Sequence, residues 1–183
     1  MIELDFRHTF ERGTYRTMTG RSHAHSRILA QAGDLSPIHE VVEAAWESLH
    51  HLEASYPGFC TWYWTKVIPG VGRGERKILI SRLDTRVAGV AITKRDCAEA
   101  KLCTLWVAPT ARATGVGREL MQAAIGWLGN EAPLFTVPAE RIDEFRPLLK
   151  RFKFEETDRL GSAYRPGVTE HVFNGRLQSA SIS

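Results

Sequence analysis

The residues with the most chemical content lie at 104–128, Thr-Leu-Trp-Val-Ala-Pro-Thr-Ala-Arg-Ala-Thr-Gly-Val-Gly-Arg-Glu-Leu-Met-Gln-Ala-Ala-Ile-Gly-Trp-Leu, where an apolar run meets a glycine turn and then an amphipathic stretch. The first turn of a helix carries N–H groups without intrahelical partners, and the helix dipole places partial positive charge at the same point. A phosphate satisfies both. Gly115 and Gly117 let the main chain approach a bulky anion with no Cβ in the way, and they tolerate positive φ. Beyond them Leu120, Met121, Ala124, Ile125 and Leu128 recur on one helical face, while Arg118, Glu119 and Gln122 fall elsewhere, so one side of this helix packs on a core.

Two well-defined phosphate loops do not fit these letters. The nucleotide P-loop requires Gly-Lys-Ser/Thr after its spacer, and Gly117 is followed by Arg118 and Glu119. A dinucleotide turn requires a third glycine where Leu120 stands. The stretch does resemble the central motif of the GCN5-related N-acetyltransferases, Val-x-Pro-x-x-Arg/Gln-x-x-Gly-x-Gly/Ala, with Val107, Pro109, Arg112, Gly115 and Gly117 at its fixed positions. The resemblance implies acetyl-coenzyme A as cosubstrate, with its pyrophosphate on Arg112, Ala113, Thr114, Gly115, Val116, Gly117 and Arg118 and its pantetheine arm along Leu105, Trp106 and Val107. Ala113 and Thr114 depart from the glycine and basic residue that often follow the arginine, which bears on affinity. The family usually transfers acetyl to a primary amine by direct attack, and a backbone N–H near Leu105 to Val107 would polarise the thioester carbonyl.

Such a transfer needs a neutral amine, stabilisation of the oxyanion and a proton for the departing thiolate. By resemblance the proton donor is a tyrosine on the helix before the sixth strand, and Leu149 stands at that position. Tyr164 is the nearest phenol in sequence and becomes the candidate general acid, against the plainer reading of a tyrosine packed under a loop. Asp96, Glu99, His50 and His51 read as solvated side chains as readily as bases, so no base is assigned. Cys103, in an apolar strand without a neighbouring histidine, reads as inert lining. Phe59, Trp62, Tyr63 and Trp64 form an aromatic group in the segment that borders the acceptor cleft in the family; Trp62 and Tyr63 are the candidate acceptor-binding residues, with core capping as the alternative.

The elements that must hold these residues follow from periodicity. Ile2, Leu4 and Phe6 alternate as a short strand would, within a first thirty residues otherwise read as loop. Asp34 or Ser36 can cap a helix with Pro37 in its first turn, running to about Ala54. A second short helix carries the aromatic group and is expected to close over Pro69-Gly70-Val71-Gly72. Strands over 77–82, 87–93 and 101–107 predict an antiparallel meander, followed after the glycine turn and its helix by a strand at 134–137. A helix marked by Ile142, Phe145, Leu148 and Leu149 contains Pro147, a local conflict tolerable near a first turn or with a kink. Strands to about Leu160 and over 170–174 complete the order, and the tail from Gln178 reads as frayed. This order matches the family's α+β fold: a mixed, mostly antiparallel sheet of six to seven strands flanked by about four helices. Residues 1–183 read as one N-acetyltransferase domain, with 1–33 poorly defined.

Composition agrees. The 183 residues are 43% hydrophobic and 25% charged with a net charge of +3, which fits one globular domain and does not indicate nucleic-acid binding. No run approaches the roughly 20 apolar residues that cross a bilayer, and no signal peptide is recognisable, so a cytoplasmic protein is expected. Cys60, Cys97 and Cys103 lack metal or disulfide spacing, and the histidines, chiefly His23-Ala-His25 and His50-His51, lack a third ligand; no metal is expected. The acceptor, a small-molecule or protein amine, is not selected by any residue. A catalytically weak module that binds or senses acyl-coenzyme A is the alternative, favoured by the absent tyrosine. Edge strands and an exposed aromatic wall make a homodimer compatible with the sequence.

Overall fold

A computed structural model describes residues 27–31 and 38–177. The alternation at Ile2 to Phe6, the caps at Asp34 and Ser36, and the tail from Gln178 lie outside the described residues. Seven strands form one sheet: β1 (Arg27–Gln31), β2 (Arg76–Leu83), β3 (Arg86–Arg95), β4 (Ala100–Val107), β5 (Leu134–Pro138), β6 (Glu156–Gly161) and β7 (Thr169–Phe173), in the order β1-β2-β3-β4-β5-β7-β6. Every neighbouring pair is antiparallel except β4 with β5. The expected meander is β2-β3-β4. The edge strand β1 lies in the stretch read as loop; five residues with adjacent Ile28 and Leu29 give no period, and the strand is defined by its pairing with 79–83.

The central strand β3 is buried without interruption from Ala88 to Thr93, the signature of a strand covered on both faces. One face carries α4 (Val116–Leu128) and α5 (Ile142–Arg151), whose Leu120, Met121, Ala124 and Leu149 pack on Leu79, Ala91, Leu102 and Phe135. The other carries α1 (Ile38–Leu49), whose Val41, Val42, Ala45 and Leu49 pack on Ile78, Ile80, Val90 and Ile92. A 3₁₀ turn (His50–Ala54) extends α1 to the expected end.

The second helical segment ends at Gly72, the last residue of the expected closure, but it takes Pro69 inside the helix. Phe59–Trp62 (α2) leads through a π-helical turn (Tyr63–Val67) into α3 (Ile68–Gly72), which contains the proline. The physical reason is the wide turn: Ile68 N–H reaches back five residues to Tyr63 C=O, and Pro69 then enters at the start of α3, where a missing N–H costs little. In α5, Pro147 lies inside the helix beyond its first turn; it cannot donate to the Asp143 carbonyl, and both residues are exposed. No helix among the described residues is long and apolar enough to cross a membrane.

Candidate active site

Two departures from a regular sheet create the site, and both fall on β4. Ile92 pairs with Thr104 and Thr93 with Leu102, so Cys103 is the extra residue of a bulge. On the other side β4 pairs with β5 only at Lys101 with Leu134 and Leu102 with Phe135; beyond that the strands part. Ala108 N–H donates to Ala88 C=O, and by antiparallel alternation Trp106 faces β3 in the same way, while Leu105 and Val107 turn their N–H and C=O groups to the open side. A strand edge is thus exposed inside the sheet, at the residues assigned to pantetheine.

At the end of that edge the chain turns through a 3₁₀ turn (Pro109–Ala111) into the glycine loop. Ala113 has φ +60° and Gly115 φ +95°, and Gly115 is the N-cap of α4. The first intrahelical bond runs from Glu119 N–H to Gly115 C=O, so the N–H groups of Val116, Gly117 and Arg118 precede the helical ladder. Arg112, Ala113, Thr114 and Arg118 are exposed, whereas the Val116 side chain is wholly buried and leaves only its backbone to a ligand. Thr114 Oγ1 donates to Ala111 C=O at 2.7 Å, and Arg112 lies 3.7 Å from Glu144. Gly89 on β3 decides how close α4 comes: a Cβ there would meet Leu120 Cδ1 and Val116 Cγ1 at 2.8 Å and Trp106 O at 2.9 Å. The sequence reading missed Gly89, because its role appears only when the helix is laid across the strand.

A cavity of about 740 Å³ begins at the splay, where Leu105 and Trp106 line it, and extends under the segment from Leu52 to Lys66. Trp62 stands in its wall with the Arg76 guanidinium 5.6 Å from its ring centre. Tyr63, paired with Trp62 in the sequence reading, does not reach it. The ring is wholly buried against α1, and its hydroxyl donates to Val42 C=O at 2.7 Å, with burial pushing the phenol up. Helical geometry points adjacent residues to different faces, so one of the two aromatics had to turn into the core.

Tyr164 does line the cavity: its ring meets Tyr56 edge-on at 6.4 Å, and Lys101 Nζ lies 3.2 Å from its hydroxyl. Lys101 is only 6% exposed. Leu149 packs in the core between α5 and the sheet, away from the cavity. Cys103 also lines the cavity; burial of its sulfur pushes the thiol up, away from the reactive thiolate, although Arg76 Nη1 lies 3.5 Å from it. Among the acids weighed as bases, Glu99 and Asp96 are held by Lys94 at 2.7 and 2.8 Å, and the Lys94 hydrogen bond holds Asp96 down to about 2. His50 Nδ1 is 2.9 Å from Glu47 O, and His51 rests against Trp106 at 5.9 Å.

The residue that the sequence reading missed is Glu170 on β7. It is 1% exposed, it lines the cavity, and its Oε1 has no hydrogen-bond partner among the described residues. Burial pushes its carboxyl up to about 7, with Arg165 and Lys101 opposing and Glu140 reinforcing that rise. The signal lay in the period of two: Glu170 shares a strand face with Val172, which is wholly buried. Among the described residues no group of His, Cys, Asp and Glu is placed to hold a metal ion.

Comparison with known proteins gives the same picture. No curated protein matches the sequence significantly. Among solved structures, an N-acetyltransferase from Staphylococcus aureus superposes with a TM-score of 0.60 at 14% identity, over 81% of this chain and 96% of that one. A Salmonella typhimurium protein solved with its cofactor acetyl-CoA superposes with a TM-score of 0.58 at 15% identity, over 84% and 93%. The ribosomal-protein-S18-alanine N-acetyltransferase of Escherichia coli gives 0.53 at 18% identity, over 81% and 92%. These likenesses are to the fold. The sequence itself matches the acetyltransferase (GNAT) family over residues 37–137, from the start of α1 through β5. That match takes in the bulge, the splay and the glycine loop together, and the chain belongs to the GNAT acetyltransferase family, whose cosubstrate is acetyl-CoA.

Proposed function

We propose that this acetyltransferase acts on a primary amine, and that the splayed edge of β4 and the loop at 112–118 hold its coenzyme. The observation that carries the reading is the continuity of three features along one strand: an unpaired edge at Leu105 and Val107, two positive-φ residues, and the N–H groups that open α4. The residues present fit the coenzyme. The exposed N–H groups suit a pyrophosphate, and the strand edge suits an amide-bearing arm. When bound, acetyl-CoA supplies an acetyl group activated as a thioester.

The rest is done by this chain. Leu105 and Trp106 bring the coenzyme's end of the site to the cavity, and Trp62 offers an aromatic wall to the acceptor. Tyr164 holds a proton on its hydroxyl beside Lys101 and is the candidate donor to a leaving sulfur. Direct attack is favoured over an acyl-enzyme, because burial keeps the Cys103 thiol protonated.

The experiment is a thermal midpoint with and without acetyl-CoA, with dephospho-coenzyme A and ATP as controls, followed by a broad amine panel. Ligand at 100 times its dissociation constant adds about 2.7 kcal/mol, which raises the midpoint by several degrees. A rise with no product from any amine would favour the acyl-coenzyme A sensor, and no rise would remove the coenzyme site. In Tyr164→Phe, turnover should fall while coenzyme affinity stays; unchanged turnover removes Tyr164 from the reaction.

A further inference from the structure

We propose that Glu170 is the catalytic residue that receives the acceptor amine and takes its proton, so that the buried end of the cavity is a site for a primary ammonium group. The proposal rests on the acetyltransferase reading above and adds the base which that reading lacks.

Position comes first. Three residues beyond the last β4–β5 pair, Leu102 with Phe135, β4 has reached Leu105 and β5 has reached Pro138, whose partner on β7 is Glu170. The carboxyl group therefore stands level with the open strand edge, across the gap from it, and lines the same cavity as Leu105, Trp62 and Tyr164. Nothing in the sheet requires a carboxylate there. Val172, on the same face of β7, is an ordinary core residue.

The second observation is what Glu170 lacks. An acidic group that is 1% exposed normally has its oxygens satisfied, yet among the described residues Oε1 has no hydrogen-bond partner. The charged and titratable groups around it come from every neighbouring element: Lys101 on β4, Tyr56 after α1, Glu140 and Arg141 before α5, and Tyr164 and Arg165 between β6 and β7. Arg165, whose charge opposes the rise in the Glu170 pKa, bonds Glu140 through an Nη, and although its buried Nε is also without a partner among the described residues the two do not bond each other. Lys101 Nζ is turned to the Tyr164 hydroxyl and, among the described residues, forms no ion pair. None of these donors bonds Glu170 Oε1, and an alkylammonium brings three N–H groups to it. The other acid in the cavity wall, Glu99, already holds Lys94.

The proton balance is simple. The ammonium donates one proton to the Glu170 carboxylate; the neutral amine then forms the C–N bond as the thioester C–S bond breaks, the leaving sulfur takes the Tyr164 proton, the second N–H proton restores the phenol, and Glu170 is left as a carboxylic acid. That acid returns its proton to water when the product leaves. No oxidant, reductant or further reactant is involved. Burial has already raised the carboxyl to about 7, so near neutral pH it is part ionised and still basic enough to accept a proton.

The test uses the full chain. With the best amine of the panel, kcat/KM of Glu170→Gln should fall at least about 100-fold, the usual worth of a positioned base, while the rise in midpoint with acetyl-CoA is retained. The acid limb of the wild-type pH profile should vanish in that variant, and formate should restore activity to Glu170→Ala. A merely structural glutamate would give neither effect. A Glu170→Gln enzyme with the wild-type pH profile, or a Glu170→Ala enzyme deaf to formate, overturns the proposal. A second measurement needs no acceptor: the ¹³C-labelled glutamate carboxyl signal that disappears in Glu170→Gln is titrated with coenzyme A bound, with and without methylammonium chloride. Methylammonium should lower its apparent pKa. A carboxyl that ignores methylammonium overturns the Glu170 assignment and leaves the coenzyme site standing, whereas a protein whose midpoint ignores acetyl-CoA overturns both.

Discussion

Ala113 and Gly115 show how much of the proposed coenzyme site is set by single backbone torsions. Both have positive φ, at +60° and +95°, and only one of them is a residue that adopts such angles freely. An L-residue with a Cβ held in the left-handed region costs about 1 kcal/mol, so Ala113→Gly should raise unfolding free energy by up to about that amount, measured by urea denaturation. Gly115→Val goes the other way. A β-branched side chain at φ +95° cannot keep the turn, and calorimetry should show at least about a tenfold loss of acetyl-CoA affinity (about 1.4 kcal/mol) in a protein that stays folded. Gly117 is the control, because a Cβ there meets only Val107 Cγ2 at an ordinary 3.5 Å. The motif glycines were legible in the sequence; that the alanine between arginine and glycine takes the same class of torsion was not, since a residue's letter does not state its φ.

At the scale of elements, the loop is placed by α4, and α4 is placed by the lack of a side chain on β3. Gly89→Ala would drive a methyl group into Val116, Leu120 and the Trp106 carbonyl at 2.8 to 2.9 Å, closer than real contacts allow. Overpacking of this kind costs about 1 to 3 kcal/mol, and the expected outcome is a thermal midpoint several degrees lower, together with weaker coenzyme binding as the helix start moves away from the β4 edge. The helix itself was readable from its apolar stripe, and so were β2, β3 and β4 from their alternation. The way the aromatic helix passes through Pro69 was not. Pro69 reads locally as a stop, and the π turn that accommodates it is a matter of backbone hydrogen bonding between Tyr63 and Ile68. Trp62 and Tyr63 divide for a similar reason, one to the cavity and one to the Val42 carbonyl.

For the whole molecule, Glu170 is a stability term as well as a proposed site. In the unfolded chain its carboxyl ionises near pH 4.3, and in the folded protein burial raises it to about 7. The native state therefore holds more protons than the unfolded state between those values, and stability falls as pH rises through that window, then levels off above it. Glu170→Gln removes this contribution. Its stability relative to the wild type should be higher at pH 8 than at pH 5, by on the order of 2 kcal/mol at about 1.4 kcal/mol per pKa unit. Denaturation curves at the two pH values read the difference directly, and equal offsets at both would show that the carboxyl is not raised by the fold.

What the sequence determined by itself was local and periodic: the Val107 to Gly117 spacing, the amphipathic face of α4, the antiparallel meander and, through them, the family and its coenzyme. Such features are carried by residues near one another in the chain, where helix and strand periods and glycine torsions act. The tertiary structure decided what depends on strands distant in sequence. β7 enters the sheet between β5 and β6, and only that insertion brings Glu170 level with Leu105 and beside Tyr164 and Lys101. A carboxylate's burial, its missing partner and its raised pKa are properties of the surroundings that close over it, and the charged and titratable groups there come from four separate segments of the chain.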